Sequence, residues 1–220
     1  SVPERQVCCG QPAYNAGDRK AAAAIARQTI ALFENFDYVV APSGSCAAML
    51  RLHFPGLLSD DPAWAERAAA LGEKSWELTA FLTDVRGGGA VKSGFHSGFR
   101  GTVTYHDSCA GLRELGVREQ PRKLLASIDG LTMKDHGTAD VCCGFGGTFC
   151  IKYGEISTAM TDAKIDAILK TGADMVVAGD LGCLLAIAGR LSRRGDHIEA
   201  RHVAELLAGM TDGPAIAGDR

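Results

Sequence analysis

From Asp18 to Phe36 the chain carries no glycine or proline, and small or apolar residues return every three to four positions at Ala22, Ile25, Ala26, Thr29, Ile30, Leu32 and Phe33. That spacing predicts a helix. The pattern then shortens: Asp37-Tyr38-Val39-Val40-Ala41 reads as a strand, Pro42-Ser43-Gly44 stops it, and Cys46 to Leu50 turns helical again. A longer helical pattern fills Asp61 to Asp84, with Pro62 near its start, where a missing N–H is harmless. Thr102 to His106 alternates as a strand and runs through Asp107-Ser108-Cys109 into a helix over Ala110 to Leu115. Helices follow around Pro121 to Ile128 and over Gly154 to Lys170. Asp174 to Ala178 gives a strand, Gly179 to Gly182 a turn, and Cys183 to Leu191 a helix. Short apolar strands alternating with helices indicate a parallel sheet covered by helices.

The two halves repeat each other. Cys8-Cys9-Gly10 matches Cys142-Cys143-Gly144, and the strand ending at Cys46 matches the one ending at Cys183. Between them, Arg86 to Gly101 holds six glycines in sixteen residues, a linker composition. The expected organisation is a first domain over 1–86, a linker over 87–101 and a second domain over 102–220. The expected fold class is α/β, with two Rossmann-like parallel-sheet domains related by a pseudo-two-fold axis. The second copy opens with a strand and a lone cysteine, Thr102 to Cys109, for which the first has no counterpart. If the repeat is complete, a strand and a cysteine belong about 25 residues before Ser1, and the first domain is expected to lack its N-terminal strand.

Composition narrows the chemistry. A formal charge of -3 and no Lys/Arg run exclude the basic surface that a polynucleotide or an anionic membrane requires. The longest purely apolar runs, such as Leu184 to Ala188, are far short of the ~20 residues of a membrane span, and no signal-peptide pattern opens the chain. The expectation is a soluble, cytoplasmic protein. Eight cysteines in such a chain point to metal or redox chemistry.

In the second copy Cys109 is followed after 32 residues by Cys142-Cys143 and after 39 more by Cys183. All four fall at the carboxyl ends of strands or in the turns after them, the edge of an open parallel sheet where ligands gather. Zinc is one reading, although C-x2-4-C knuckles are absent. A disulfide framework needs an oxidising compartment, and a C-x-x-C redox pair is missing. Iron–sulfur clusters take thiolates from separate loops and favour small surroundings, which Gly10, Gly44, Gly144, Gly146, Gly147 and Gly182 supply.

Four strings, Cys8-Cys-Gly-Gln-Pro-Ala-Tyr-Asn-Ala-Gly17, Pro42-Ser-Gly-Ser-Cys46, Thr104-Tyr-His-Asp-Ser-Cys109 and Cys142-Cys-Gly-Phe-Gly-Gly-Thr-Phe149, resemble the cysteine-rich CCG-domain proteins over essentially the whole chain. The resemblance is closest to the lactate-utilisation protein A family and more distant to the heterodisulfide reductase B subunit and the glycolate oxidase iron–sulfur subunit. It implies a [4Fe–4S] cluster in each complete copy. Cys109, Cys142, Cys143 and Cys183 fit all four positions of the second site, and Cys8, Cys9 and Cys46 fit three of the first. Met49 and Ala186 stand where heterodisulfide reductase relatives carry a fifth cysteine, so a four-thiolate cluster is implied over a non-cubane one. It further implies an electron-transfer subunit of an L-lactate-oxidising complex, with other iron–sulfur or redox subunits as partners and a small 2-hydroxy acid as substrate.

Other residues have plainer readings. Cys150 lies outside the repeat and reads as a small buried hydrophobe. His106 is either a donor to a cluster sulfur or substrate carboxylate, or a structural strand-end residue; Arg113 either binds an acid or solvates a helix. Ser43, Ser45 and Asp180 suit turn and N-cap duty. Gly144-Phe-Gly-Gly lacks the G-x-G-x-x-G spacing of a dinucleotide loop. The reading from a different class is a metal-binding scaffold with zinc or nothing in its sites.

Overall fold

The computed structural model describes residues 1–87 and 98–217, so most of the expected glycine-rich linker lies outside the described residues. Among the described residues, six strands form two parallel sheets. In the second half β3 (Gly101–His106), β4 (Leu131–Lys134), β5 (Met175–Ala178) and β6 (Glu199–His202) lie in the order β4-β3-β5-β6. In the first half β1 (Val39–Ala41) pairs with β2 (Ser75–Glu77). The register sets Val103 opposite Met175 and His106 opposite Ala178, so β3 and β5 end level with each other.

Strand β5 shows why this half is layered. Its four residues are all buried. Val176 and Ala178 meet Ile165, Ile168, Leu184 and Ile187 on one face. Met175 and Val177 meet Leu124, Leu125, Val203 and Leu206 on the other. Side chains alternate across a strand, so a strand covered on both faces must be apolar throughout. The first half packs Val39 with Ala26, Ile30, Met49, Phe54 and Leu71. Its helix Arg19–Phe33 buries Ala22, Ala26, Thr29 and Ile30, the face its periodicity predicts.

The repeat is visible in the pairing, since β1 beside β2 answers β5 beside β6. No described residues form counterparts of β3 and β4 in the first half. One element departs from its pattern. The expected helix over Asp61 to Asp84 is interrupted: a helix covers Ala65–Glu73, Ser75–Glu77 is β2, and the chain coils again over Leu78–Ala80. The pairing of β2 with β1 and the burial of Ser75 and Glu77 override a continuous helical pattern.

The halves meet closely. A Cβ on Gly44 would lie 2.8 Å from the Gly111 Cα, so the two helix starts touch backbone to backbone. Ser43 and Asp180, equivalent positions of the repeat, hydrogen-bond to each other at 2.8 Å. No helix among the described residues is long and apolar enough to cross a membrane.

Candidate metal centre

Cys109 opens the helix after β3, Cys142 and Cys143 lie in the loop after β4, and Cys183 sits in the first turn of the helix after β5. Parallel strands with level ends bring these three connections to one edge. Electrostatic interaction links Cys109 to Cys142, Cys142 to Cys143 and Cys143 to Cys183. All eight cysteines are free thiols.

The loop carrying the pair is held from beneath by the helix Gly154–Leu169. Ser157 Oγ donates to the Gly144 carbonyl and Thr161 Oγ1 to the Cys143 carbonyl, each at 2.8 Å, while Lys164 Nζ donates to the Thr138 carbonyl. Gly144 (φ +91°) lies so close to this helix that a Cβ would fall 2.5 Å from the Ser157 carbonyl oxygen. The backbone can then turn back, and the Gly144 N–H donates to Cys142 Sγ at 3.4 Å. Glycine N–H groups aimed at sulfur are the kind of outer shell that stabilises anionic sulfur.

His106, at the end of β3, is fully buried, and a ring nitrogen lies with the sulfurs of Cys143 and Cys183 in a group whose atoms are all within 4.8 Å of one another. Neither of its ring nitrogens has a hydrogen-bond partner. Burial, with Lys164 and His136 adding, pushes His106 down to about 3, so it is a neutral imidazole offering one N–H and one lone pair.

Titration of the thiols follows their contacts. The hydrogen bond with Cys143, then burial, pushes Cys142 up. Cys143 is drawn down by Cys142, yet its bond with Cys183 and burial carry it up to about 12. Burial raises Cys109, with the neighbouring Cys142 adding. These sulfurs hold their protons near neutrality in the absence of a cation, so loading a metal releases protons. Burial pushes Lys164 down while Cys143, Asp140, Cys109 and Cys142 pull it back.

The first half gathers less. Cys9 Sγ lies 3.2 Å from Cys46 Sγ, and Cys8, exposed, lies within electrostatic reach of Cys9. The hydrogen bond from Cys9 pulls Cys46 down to about 7 against burial, with Ser43 and Ser45 assisting; that same bond, with burial, pushes Cys9 up. Asp180 bridges the halves: its Oδ2 accepts from Ser43 Oγ at 2.8 Å and the Ser45 N–H at 3.0 Å, and its Oδ1 accepts from the Gly182 N–H at 3.1 Å, next to Cys183.

Arg113 is exposed, donates to the Asp140 carbonyl at 3.3 Å and acts electrostatically on Cys109. Cys150 is only partly buried, and its thiol donates to the Gly147 carbonyl at 3.1 Å, so it closes the glycine loop where a buried apolar filler was expected. Sequence reasoning passed over Ser157, Thr161 and Lys164. Their i, i+4, i+7 spacing puts three polar side chains on one face of the helix, a regularity present in the sequence, and that face is buried.

The donor set fits an iron–sulfur group: four thiols from three connections, a backbone N–H aimed at sulfur, and a buried imidazole with both nitrogens unpartnered. Comparison with known proteins agrees in where it falls. The CCG cysteine-rich domain model matches residues 1–51 and 103–188, which contain the seven repeat cysteines. Lactate utilization protein A of Bacillus cytotoxicus is 45% identical over 205 residues, covering 93% of this chain and 84% of the relative. The same protein of Bacillus cereus, and lactate utilization protein A 2 of Bacillus mycoides, are each 44% identical over equal spans. With both cysteine groups inside the matched segments and near-full-length identity at this level, the chain belongs to the lactate utilization protein A family of CCG cysteine-rich domain proteins.

Proposed function

We propose that this chain is the iron–sulfur electron-transfer subunit of a cytoplasmic oxidoreductase complex that oxidises L-lactate to pyruvate. The observation that carries the reading is the meeting of Cys109, Cys142, Cys143 and Cys183 at one sheet edge in a chain similar to proteins named for lactate utilisation. Those four residues would hold one [4Fe–4S] cluster, and Cys8, Cys9 and Cys46 would give three ligands to a second. When bound, such a cluster supplies single-electron storage and transfer. Each half, 1–86 and 102–220, carries one cysteine group.

The chain's own residues hold and shield the group. Ser157, Thr161 and Lys164 fix the carbonyls of the loop, so Cys142 and Cys143 are placed by the helix beneath them. The Gly144 N–H and the His106 imidazole face sulfur. Lactate loses two electrons and two protons on becoming pyruvate. A group held by the cysteines would pass these on one at a time, after a partner redox subunit had first accepted them from lactate.

Zinc is the second reading, favoured by the placement of His106 with Cys143 and Cys183, since a mixed His/Cys set is a zinc donor set. Anaerobic purification followed by iron, acid-labile sulfide and zinc analysis decides between them. Iron and sulfide in equal amounts, with a paramagnetic signal on reduction, support the proposal. Stoichiometric zinc without sulfide overturns it.

A further inference from the structure

A lysine ammonium is among the costliest groups to bury, and it persists inside a protein where an anion faces it. Lys164 is 2% exposed. Of its three N–H donors one meets the Thr138 carbonyl, and among the described residues no carboxylate forms an ion pair with it. The groups it interacts with electrostatically are Cys143, Asp140, Cys109 and Cys142. His106 stands beside it with both nitrogens unpartnered, and the Nε2 of His136 is unpartnered as well. Buried nitrogen-bearing groups left short of acceptors, within electrostatic reach of one another and, through Lys164 and His106, of the cysteines, describe a surrounding built for negative charge.

The internal repeat supplies the control. Burial along Gly154–Leu169 falls on Ser157, Thr161, Lys164, Ile165 and Ile168, and along Arg19–Phe33 on Ala22, Ala26, Thr29 and Ile30. The first four of the one share the spacing of the four in the other, which puts Thr29 in the place of Lys164. The Thr29 hydroxyl is spent on the Ile25 carbonyl at 2.9 Å. The charge that acts on Cys46 is the Asp180 carboxylate, of opposite sign.

We propose that Lys164 is the countercation of the second cysteine group, holding a positive charge against the bound iron–sulfur group and favouring its reduced form, so that this group is the electron sink of the chain. The proposal rests on the iron–sulfur reading above. Reduction adds one electron to the group; no bond breaks, and Lys164 keeps its proton. An added negative charge is stabilised by a fixed cation in a medium of low dielectric, so its loss lowers the reduction potential. Lys164 is here a positioning residue for charge and not a ligand.

The test uses the full chain with Cys9→Ser and Cys46→Ser, which leaves the second group alone, reconstituted anaerobically with iron and sulfide and titrated with dithionite as one-electron donor. Lys164→Met keeps the volume and removes the charge. At a given potential its reduced-to-oxidised ratio should fall at least tenfold, a drop of about 59 mV or more for a one-electron couple, while Lys164→Arg stays within threefold of the parent. If Lys164→Met loses iron, retention with parental potential in Lys164→Arg supports the proposal, and equal loss in both overturns it. Lys164→Met with full iron and an unchanged potential also overturns it and leaves the iron–sulfur reading standing. A parent chain that takes up no iron and sulfide fails that reading instead.

Discussion

Gly144→Ala tests whether the cysteine loop is held as described. Gly144 has φ +91°, where a Cβ costs about 1–3 kcal/mol. The new methyl would also lie 2.5 Å from the Ser157 carbonyl oxygen and 2.8 Å from Thr161 Oγ1, so the loop must lift from the helix. Lifting breaks the bonds from Ser157 Oγ to the Gly144 carbonyl and from Thr161 Oγ1 to the Cys143 carbonyl, each worth about 1 kcal/mol. The sum is about 3–5 kcal/mol, which for a chain of this size lowers the melting temperature by roughly 10 °C. Thermal unfolding of the metal-free protein measures it, with Gly56→Ala as control. Gly56 has open space at its Cβ position and lies in the helical segment Phe54–Leu57, so its substitution should be neutral or stabilising by about 0.4–1 kcal/mol. A Gly144→Ala protein melting within about 2 °C of the parent would refute the reasoning, because strain and clash both follow from the observed backbone.

Arg122→Met strands the Asp107 carboxylate, 1% exposed and held by Arg122 at 2.7 and 2.9 Å; chemical denaturation should show a loss of about 3–5 kcal/mol, partly recovered by adding Asp107→Asn. Burial raises the Glu77 carboxyl above its ordinary value, so the folded state binds that proton more tightly than the unfolded chain. Its contribution is present below the unfolded value and lost as pH rises through the folded one; melting temperature against pH from about 4.5 upward should therefore carry a falling component that Glu77→Gln removes, and identical slopes would reject the assignment. Ser43→Asp sets a second carboxylate where Ser43 now donates to Asp180 at 2.8 Å and should cost about 2–4 kcal/mol, with Asp180→Ser in the same chain recovering part of it; strictly additive effects in the cycle would reject the contact.

Periodicity made much of this architecture legible because burial obeys it. The face of Arg19–Phe33 and the all-apolar β5 are written directly in the residues. Strands β2, β4 and β6 were not legible. Ser-Trp-Glu, Leu-Thr-Met-Lys and Glu-Ala-Arg-His carry too little apolar alternation, and their extended form comes from pairing with neighbours distant in the chain. The position of the second cysteine group after strand ends is legible from the strand pattern alone. Its surrounding is not, since a lysine in a helical pattern reads as solvent-facing until the loop that it holds is placed against it.

The pseudo-symmetry is more than a record of repetition, because equivalent residues contact one another. Ser43 and Asp180 each precede the helix that bears a cysteine of its own half, and each would ordinarily cap only that helix. Here one carboxylate does both, accepting from Gly182 in its own half and from Ser43 and the Ser45 N–H in the other. Capping by a shared group removes the freedom of either helix start to shift alone. Gly44 lying backbone to backbone against Gly111 removes it a second time, because side-chain rearrangement cannot relieve that contact. Cys46 lies one residue beyond the Ser45 N–H and Cys183 one beyond the Gly182 N–H, so the two cysteine groups are fixed in separation by the same atoms that join the halves. For the electron-transfer role proposed above such constancy would matter, and the proposed asymmetry of the side walls, Lys164 on one side and Thr29 on the other, would give transfer between the groups a direction.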